Sequence, residues 1–301
     1  MTEVMPKQVD NIINKMTGGD IAAVTAQNDG NTIGQKFFCD AKSQTKLNEF
    51  VDSERPKLVA LVGFAGYGKS TFIGSLYHLL TRNLSYGGYK LVDSDTYVGF
   101  ERRVFLRRAN DDNISDTKRT VLGENDILHL KLRSEQGGSH SVLVSDKPGE
   151  TYSRYTSSDD DIEADVVMAN ADLAVFFVDA EEDSGKLAAH NLIAEKYESL
   201  LTRLKAQHKL IGTMPYMVVF TKIDKVNTAE QKKKLAERKE KMCGIFGSTI
   251  GYEPESVCEV DSKNIEDEQL NELFGKLIRP KARGEEQKGL DWVKAEIEKE
   301  K

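Results

Sequence analysis

Two hydrophobic rhythms alternate along the chain. Leu58 to Val62 is an unbroken apolar run of strand length, and Phe72, Ile73, Leu76, Leu79 and Leu80 then recur at helical spacing. The strand signature returns at Val142-Leu143-Val144, Leu173 to Val178, Met217 to Phe220 and Val257 to Val260. Between these runs, stretches near 186–207, 228–243 and 265–278 read as amphipathic helices. Buried strands alternating with helices predict an α/β fold, a mostly parallel sheet of about six strands with helices on both faces. Ile127 to Arg133 differs, because Leu128, Leu130 and Leu132 alternate with polar residues. That pattern predicts a half-exposed strand, antiparallel at the sheet edge.

The same patterning divides the chain. Residues 1–55 are interrupted by Gly18-Gly19, Asp29-Gly30-Asn31 and Gly34 and are rich in polar residues. This reads as an N-terminal extension, partly disordered or docking to a partner through Phe37 and Phe38. The main domain spans 56–281, with a charged, glycine-poor insertion at 89–126. A C-terminal helix is expected over 282–301, with Leu290, Val293 and Ile297 on one stripe and Trp292 beside it.

Composition narrows the class. With 301 residues, 39% of them apolar and 30% charged, the chain has the makeup of an ordinary globular protein. A net charge of −7 argues against a general nucleic-acid or anionic-membrane binder. Residues 1–20 hold no apolar leader core and no stretch approaches membrane-spanning length, so no membrane is expected. Cys39, Cys243 and Cys258 form neither a disulfide framework nor a metal spacing, which points to a cytoplasmic setting. His78, His129, His140, His190 and His208 show no ligand spacing either.

Chemistry enters at the first strand-to-helix turn. Gly63-Phe64-Ala65-Gly66-Tyr67-Gly68-Lys69-Ser70 fits G-x-x-x-x-G-K-[ST] at every fixed position, between a strand and a helix. Such glycines let backbone N–H groups converge on phosphate at a helix N-terminus. The expected phosphate set is Gly63, Ala65, Gly66, Tyr67, Gly68, Lys69, Ser70 and Thr71. Lys69 would meet the β- and γ-phosphates, and the Ser70 hydroxyl would ligate Mg²⁺.

Each later motif also follows a strand. Asp146-Lys147-Pro148-Gly149-Glu150 stands 77 residues after Lys69. Asp146 is expected to serve Mg²⁺, and the Gly149 N–H to sense the γ-phosphate. Thr221-Lys222-Ile223-Asp224 selects the base: an aspartate accepts two hydrogen bonds from guanine N1–H and its exocyclic amine, a pair that adenine lacks. Ser262-Lys263 would complete the guanine site. Residues 150–165 read as a mobile second switch, within which Ser157-Ser158 caps a helix whose first turn holds Asp159-Asp160-Asp161.

Four ordered motifs on alternating strands resemble the Ras-like GTPases of the translation-factor-related P-loop class over about 57–280. Gly63 to Phe72, Gly99-Phe100-Glu101-Arg102, Leu128-His129-Leu130, Ser145-Asp146 with Gly149-Glu150, and Thr221 to Asp224 are similar to the bacterial double-GTPase group. That group occurs in gene neighbourhoods of biological conflict and phage defence. The resemblance implies a Mg²⁺-dependent GTP/GDP switch that hydrolyses GTP and feeds a protein effector. Only one GTPase unit is present, so pairing would come from a homodimer through the nucleotide face or from a partner.

Departures from the Ras-like pattern matter chemically. Ala65 replaces a frequent glycine, and Glu150 stands where a water-orienting Gln is usual. A carboxylate cannot donate to phosphate and repels the developing charge, so slow intrinsic hydrolysis is expected. Lys147 is read as a solvated lysine, with Glu150 or Asp159 as alternative partners. Thr120 is the first choice for the metal-covering switch threonine and Thr96 the second. Arg119, or one of Arg102, Arg103, Arg107 and Arg108, would supply an arginine finger, worth ~10³–10⁵ in rate; each taken singly is read as a solvated surface arginine.

Overall fold

The computed structural model describes residues 39–50, 55–83, 85–109, 125–207, 209–210, 214–264, 266 and 268–279. In chain order, β1 (Lys42–Ser43) leads through a 3₁₀ turn (Gln44–Phe50) to β2 (Lys57–Val62), α1 (Lys69–Arg82), β3 (Tyr89–Asp93) and α2 (Tyr97–Ala109). Then follow β4 (Asp126–Ser134), β5 (Ser139–Asp146) and three short helices, α3 (Gly149–Tyr155), α4 (Asp159–Glu163) and α5 (Val166–Asn170). The last third holds β6 (Leu173–Asp179), α6 (Ala180–Asp183), α7 (Leu187–Ala206), β7 (Tyr216–Thr221), α8 (Ala229–Ile250), β8 (Ser256–Val260) and α9 (Glu268–Ile278).

Among the described residues these strands form one eight-stranded sheet, ordered β1-β4-β5-β2-β6-β7-β8 with β3 also paired to β4. From β5 to β8 the pairings are parallel, and β4 lies antiparallel to β5. All five parallel strands were legible as apolar runs. In β2, β5, β6 and β7 this follows from cover on both faces, which leaves no polar alternation to preserve, whereas β8 at the sheet edge keeps Val257 37% exposed.

Residue alternation on β6 shows how the two faces are filled. Phe176 meets Phe246 of α8 at 5.1 Å between ring centroids, whereas Phe177 meets Phe72 of α1 at 5.1 Å. Neighbouring strand residues point to opposite faces, so one dipeptide anchors both helical layers. Truncating either ring to alanine would cost about 3–5 kcal/mol.

Three expectations change. The strand at 126–134 is no edge: β1 pairs with its residues 126–127 and β3 with 131–134. It is not half-exposed either, since its polar-face His129 is buried against Phe50, 5.3 Å away. Residues 42–50, within the stretch read as an extension, supply this cover. The insertion at 89–126 contains β3 and α2. Phe100 and Val104, one helical turn apart, are both fully buried, and Phe100 stacks on Tyr77 at 4.7 Å. Helix α8 continues seven residues past Cys243 because Phe246 and Ile250 extend its buried stripe, until Gly251 ends it at φ 103°.

Thr228 caps α8 in a capping box with Gln231, and Ser158 accepts from Asp161 N–H to cap α4, with Asp159, Asp160 and Asp161 in its first turn. Phe37, Phe38, Arg119, Thr120 and the tail at 282–301 lie outside the described residues. No helix among the described residues is long and apolar enough to cross a membrane.

Candidate functional site

At Val62 the chain leaves β2, and residues 63–68 turn it into α1. Gly66 and Gly68 take φ of 81° and 84°, left-handed values that favour glycine. Lys69 opens the helix yet is only 6% exposed. Its Nζ donates to Gly63 O at 2.6 Å and Phe64 O at 3.1 Å, so the ammonium is held inside its own loop. Burial lowers its pKa to about 8, against the opposing pull of Asp146.

Beside the lysine lie Ser70 and Asp146. Ser70 Oγ is 3.1 and 3.2 Å from the two oxygens of Asp146, the last residue of β5. Asp146 is fully buried and also receives Nε of Arg103 at 2.7 Å. Arg103 was read as a solvated surface arginine; instead it is buried, with a second carboxylate, Asp126, 2.9 Å from Nη2. Arg102 is itself exposed and pairs with the buried Asp40 at 2.6 Å.

Gly149 lies hard against the phosphate loop. A Cβ there would stand 2.0 Å from Ala65 N and 2.2 Å from Phe64 C, so no side chain fits. Two residues earlier, Lys147 departs from expectation. It is fully buried and ion-paired with Asp165, whose other oxygen accepts from Tyr155 OH at 2.9 Å. Asp165 caps α5 as well, accepting from Met168 N–H at 3.0 Å. The pair therefore pins the loop after β5 to α3 and α5. Burial lowers the Lys147 pKa while Asp165 opposes the shift. Asp165 stands 18 positions along the chain, farther than Glu150 or Asp159, the partners expected from the sequence.

The opposite end of the cavity is built by β7 and β8. Thr221 Oγ1 donates toward Tyr67 O at 3.0 Å and Val178 O at 3.3 Å, tying the phosphate loop to β7. Lys222 adopts φ 60° and pairs with Asp179 at the end of β6. Asp224 stands in a 3₁₀ turn with its side chain 30% exposed, 3.7 Å from Lys225 Nζ. Ser262 is buried, and its Oγ has no hydrogen-bond partner among the described residues.

One cavity of about 790 Å³ joins these ends. Ala65 to Thr71, Gly149, Glu150, Thr221, Lys222, Asp224, Ser262 and Lys263 all line it, as do Lys147 and Pro148. Gly63 and Asp146 stand one layer behind, Gly63 offering its carbonyl to Lys69. Glu181, Lys225 and Asp261 also line the cavity and were not anticipated. Their only sequence signal was position, since each follows a strand end within one to four residues. Thr96 is fully buried and accepts from His129 N–H at 2.8 Å, so its hydroxyl is committed to β4.

The residues fit a Mg²⁺-nucleotide. The volume lies within the roughly 300–1,000 Å³ of ligand pockets. Gly66 and Gly68 line the cavity with left-handed backbone and no side chain, and the buried Ser262 hydroxyl has no partner among the described residues. Among the described residues no group of three His, Cys, Asp or Glu could hold a metal by itself. A hydroxyl with one carboxylate behind it suits Mg²⁺, which usually keeps waters and phosphate oxygens as its other ligands.

No match to a curated protein was found. The Double-GTPase 2 family model matches residues 57–274, from β2 into α9 and across every wall of this cavity, and the chain belongs to that family of P-loop GTPase domains.

Proposed function

We propose that this protein is a guanine-nucleotide switch that binds Mg²⁺-GTP, hydrolyses it slowly to GDP and controls a protein effector in a bacterial defence-type system. The observation that carries the reading is the single cavity with Lys69 and Ser70 at one end and Asp224 and Ser262 at the other. In this reading the GTPase domain is 56–281, with β1 and the turn at 44–50 completing its sheet.

Lys69 and the N–H groups of 65–71 bind and orient the phosphates. Ser70, with Asp146 behind it, would hold Mg²⁺, which when bound neutralises charge on the phosphate oxygens. Asp224 accepts from the guanine edge, Ser262 and Lys263 close over it, and the Lys222 stem lies along the base. Gly149 reports on the γ-phosphate because it already touches the phosphate loop. Titrating GTP, GDP and ATP into the protein by calorimetry, with and without Mg²⁺, tests the binding claim. Equal affinity for ATP and GTP would remove the guanine assignment.

Glu150, half-buried on the cavity wall, favours a second reading: a GTP-held scaffold or dimerisation module that does not turn over. A carboxylate cannot donate to the γ-phosphate, and it repels charge developing there. Multiple turnover that is lost on Lys69→Ala supports the switch. Absence of turnover at every protein concentration, with tight GTP binding retained, supports the scaffold.

A further inference from the structure

Asp126 and Asp146 are register partners across β4 and β5. Both are buried, 5% and 0% exposed. Two carboxylates placed side by side and away from water repel one another and demand positive charge. Arg103 answers that demand with its planar fork: Nε to Asp146 at 2.7 Å, Nη2 to Asp126 at 2.9 Å, and Nη1 to Gly99 O at 2.7 Å. The Asp146 oxygen that takes Nε, Oδ2, is also 3.2 Å from Ser70 Oγ. One carboxylate therefore serves both the hydroxyl at the candidate Mg²⁺ position and a guanidinium carried by α2.

We propose that Arg103 is a built-in competitor of the divalent cation: it holds Asp146 in the metal-free state and shifts toward Asp126 when Mg²⁺ arrives. The inference rests on the Mg²⁺-nucleotide reading above. Arg103 acts through Asp146 and is a positioning residue. Its helix begins within the insertion at 89–126, so the state of the metal site is passed directly to that segment.

The electrostatics give two variants opposite signs. Removing the guanidinium leaves the carboxylate pair with one positive charge fewer, so the cation binds more tightly. Removing the Asp126 charge concentrates the guanidinium on Asp146, so the cation binds more weakly. A merely structural Arg103 would weaken the site in both cases.

The test is a Mg²⁺ titration of fluorescent GDP binding to the full chain, reading the Mg²⁺ midpoint. Arg103→Met is expected to lower the midpoint and Asp126→Asn to raise it, each by about three- to tenfold for unit charges a few ångströms away. Should Arg103→Met fail to fold, Arg103→Gln takes its place, because Asp126→Asn raises the midpoint under either account: an Arg103→Gln midpoint unchanged or raised overturns the proposal. Midpoints raised in both variants overturn it too, while leaving the nucleotide reading intact. Wild-type GDP binding that ignores Mg²⁺ overturns the proposal together with the metal part of that reading, and no GDP binding at all overturns the reading itself.

Discussion

Thr221 and Tyr67 are joined by a 3.0 Å hydrogen bond from the threonine hydroxyl to the tyrosine carbonyl, across 154 positions of chain. The bond fastens the end of β7 to the phosphate loop. One short side-chain donor is what the loop carbonyl requires. Thr221→Val keeps the shape and removes the donor. We expect a loss of about 1–3 kcal/mol from the carbonyls left unpaired, seen as a lower denaturation midpoint. GDP binding should weaken, and Thr221→Asn should restore much of both.

Gly149 has no room for a methyl group against Ala65 N, 2.0 Å from the position of a Cβ. Gly149→Ala must push the loop after β5 away from the phosphate loop. Overpacking of this kind costs about 1–3 kcal/mol. Thermal unfolding should report that loss. If Gly149 senses the γ-phosphate, the preference for GTP over GDP should shrink further than affinity for GDP falls.

The buried Lys147–Asp165 pair predicts strong coupling. Lys147→Met alone strands a buried carboxylate and is expected to destabilise by about 3–5 kcal/mol. Adding Asp165→Asn should recover part of the loss. A double-mutant cycle in urea measures the coupling, and additive losses would contradict the pairing.

Lys69 gives a pH signature. Its folded-state pKa of about 8 lies below the ordinary lysine value of 10.5, with burial the main cause. The unfolded chain therefore binds the extra proton between these values, so Lys69 makes the free protein more stable as pH rises from about 8 to 10.5. Below about pH 8 its buried charge is a standing cost. Lys69→Met should remove this part of the pH dependence. If the Lys69 ammonium meets phosphate, GDP affinity should fall by about tenfold per pH unit above 8 as a proton must be taken up. Calorimetry in buffers of different ionisation enthalpy would detect that proton.

Most of the framework was legible because its signals are local. Five parallel strands appear as apolar runs, and the G-x-x-x-x-G-K-S loop lies between its strand and helix within 24 residues, 57–80. What escaped depends on contacts distant in sequence. The cover over His129 comes from Phe50, and nothing near Ile127 to Arg133 announces it. Arg103 looked like one of several surface arginines because its carboxylates lie 23 and 43 positions away. Lys147 misled for the same reason. Helix α2 was hidden by its charge, although Phe100 and Val104 already carried the i, i+4 stripe that buries it.

The central claim is that one cavity grips phosphate through Lys69 and reads guanine through Asp224. Its most direct measurement is competition of GTP and ATP for the wild-type protein and for Asp224→Ala. The account predicts GTP binding at least about 100-fold tighter than ATP, with Asp224→Ala bringing GTP down toward the ATP level, as expected when a site built for specific hydrogen bonds loses them. Equal binding of the two nucleotides by the wild-type protein, or a preference for GTP undiminished in Asp224→Ala, would contradict it.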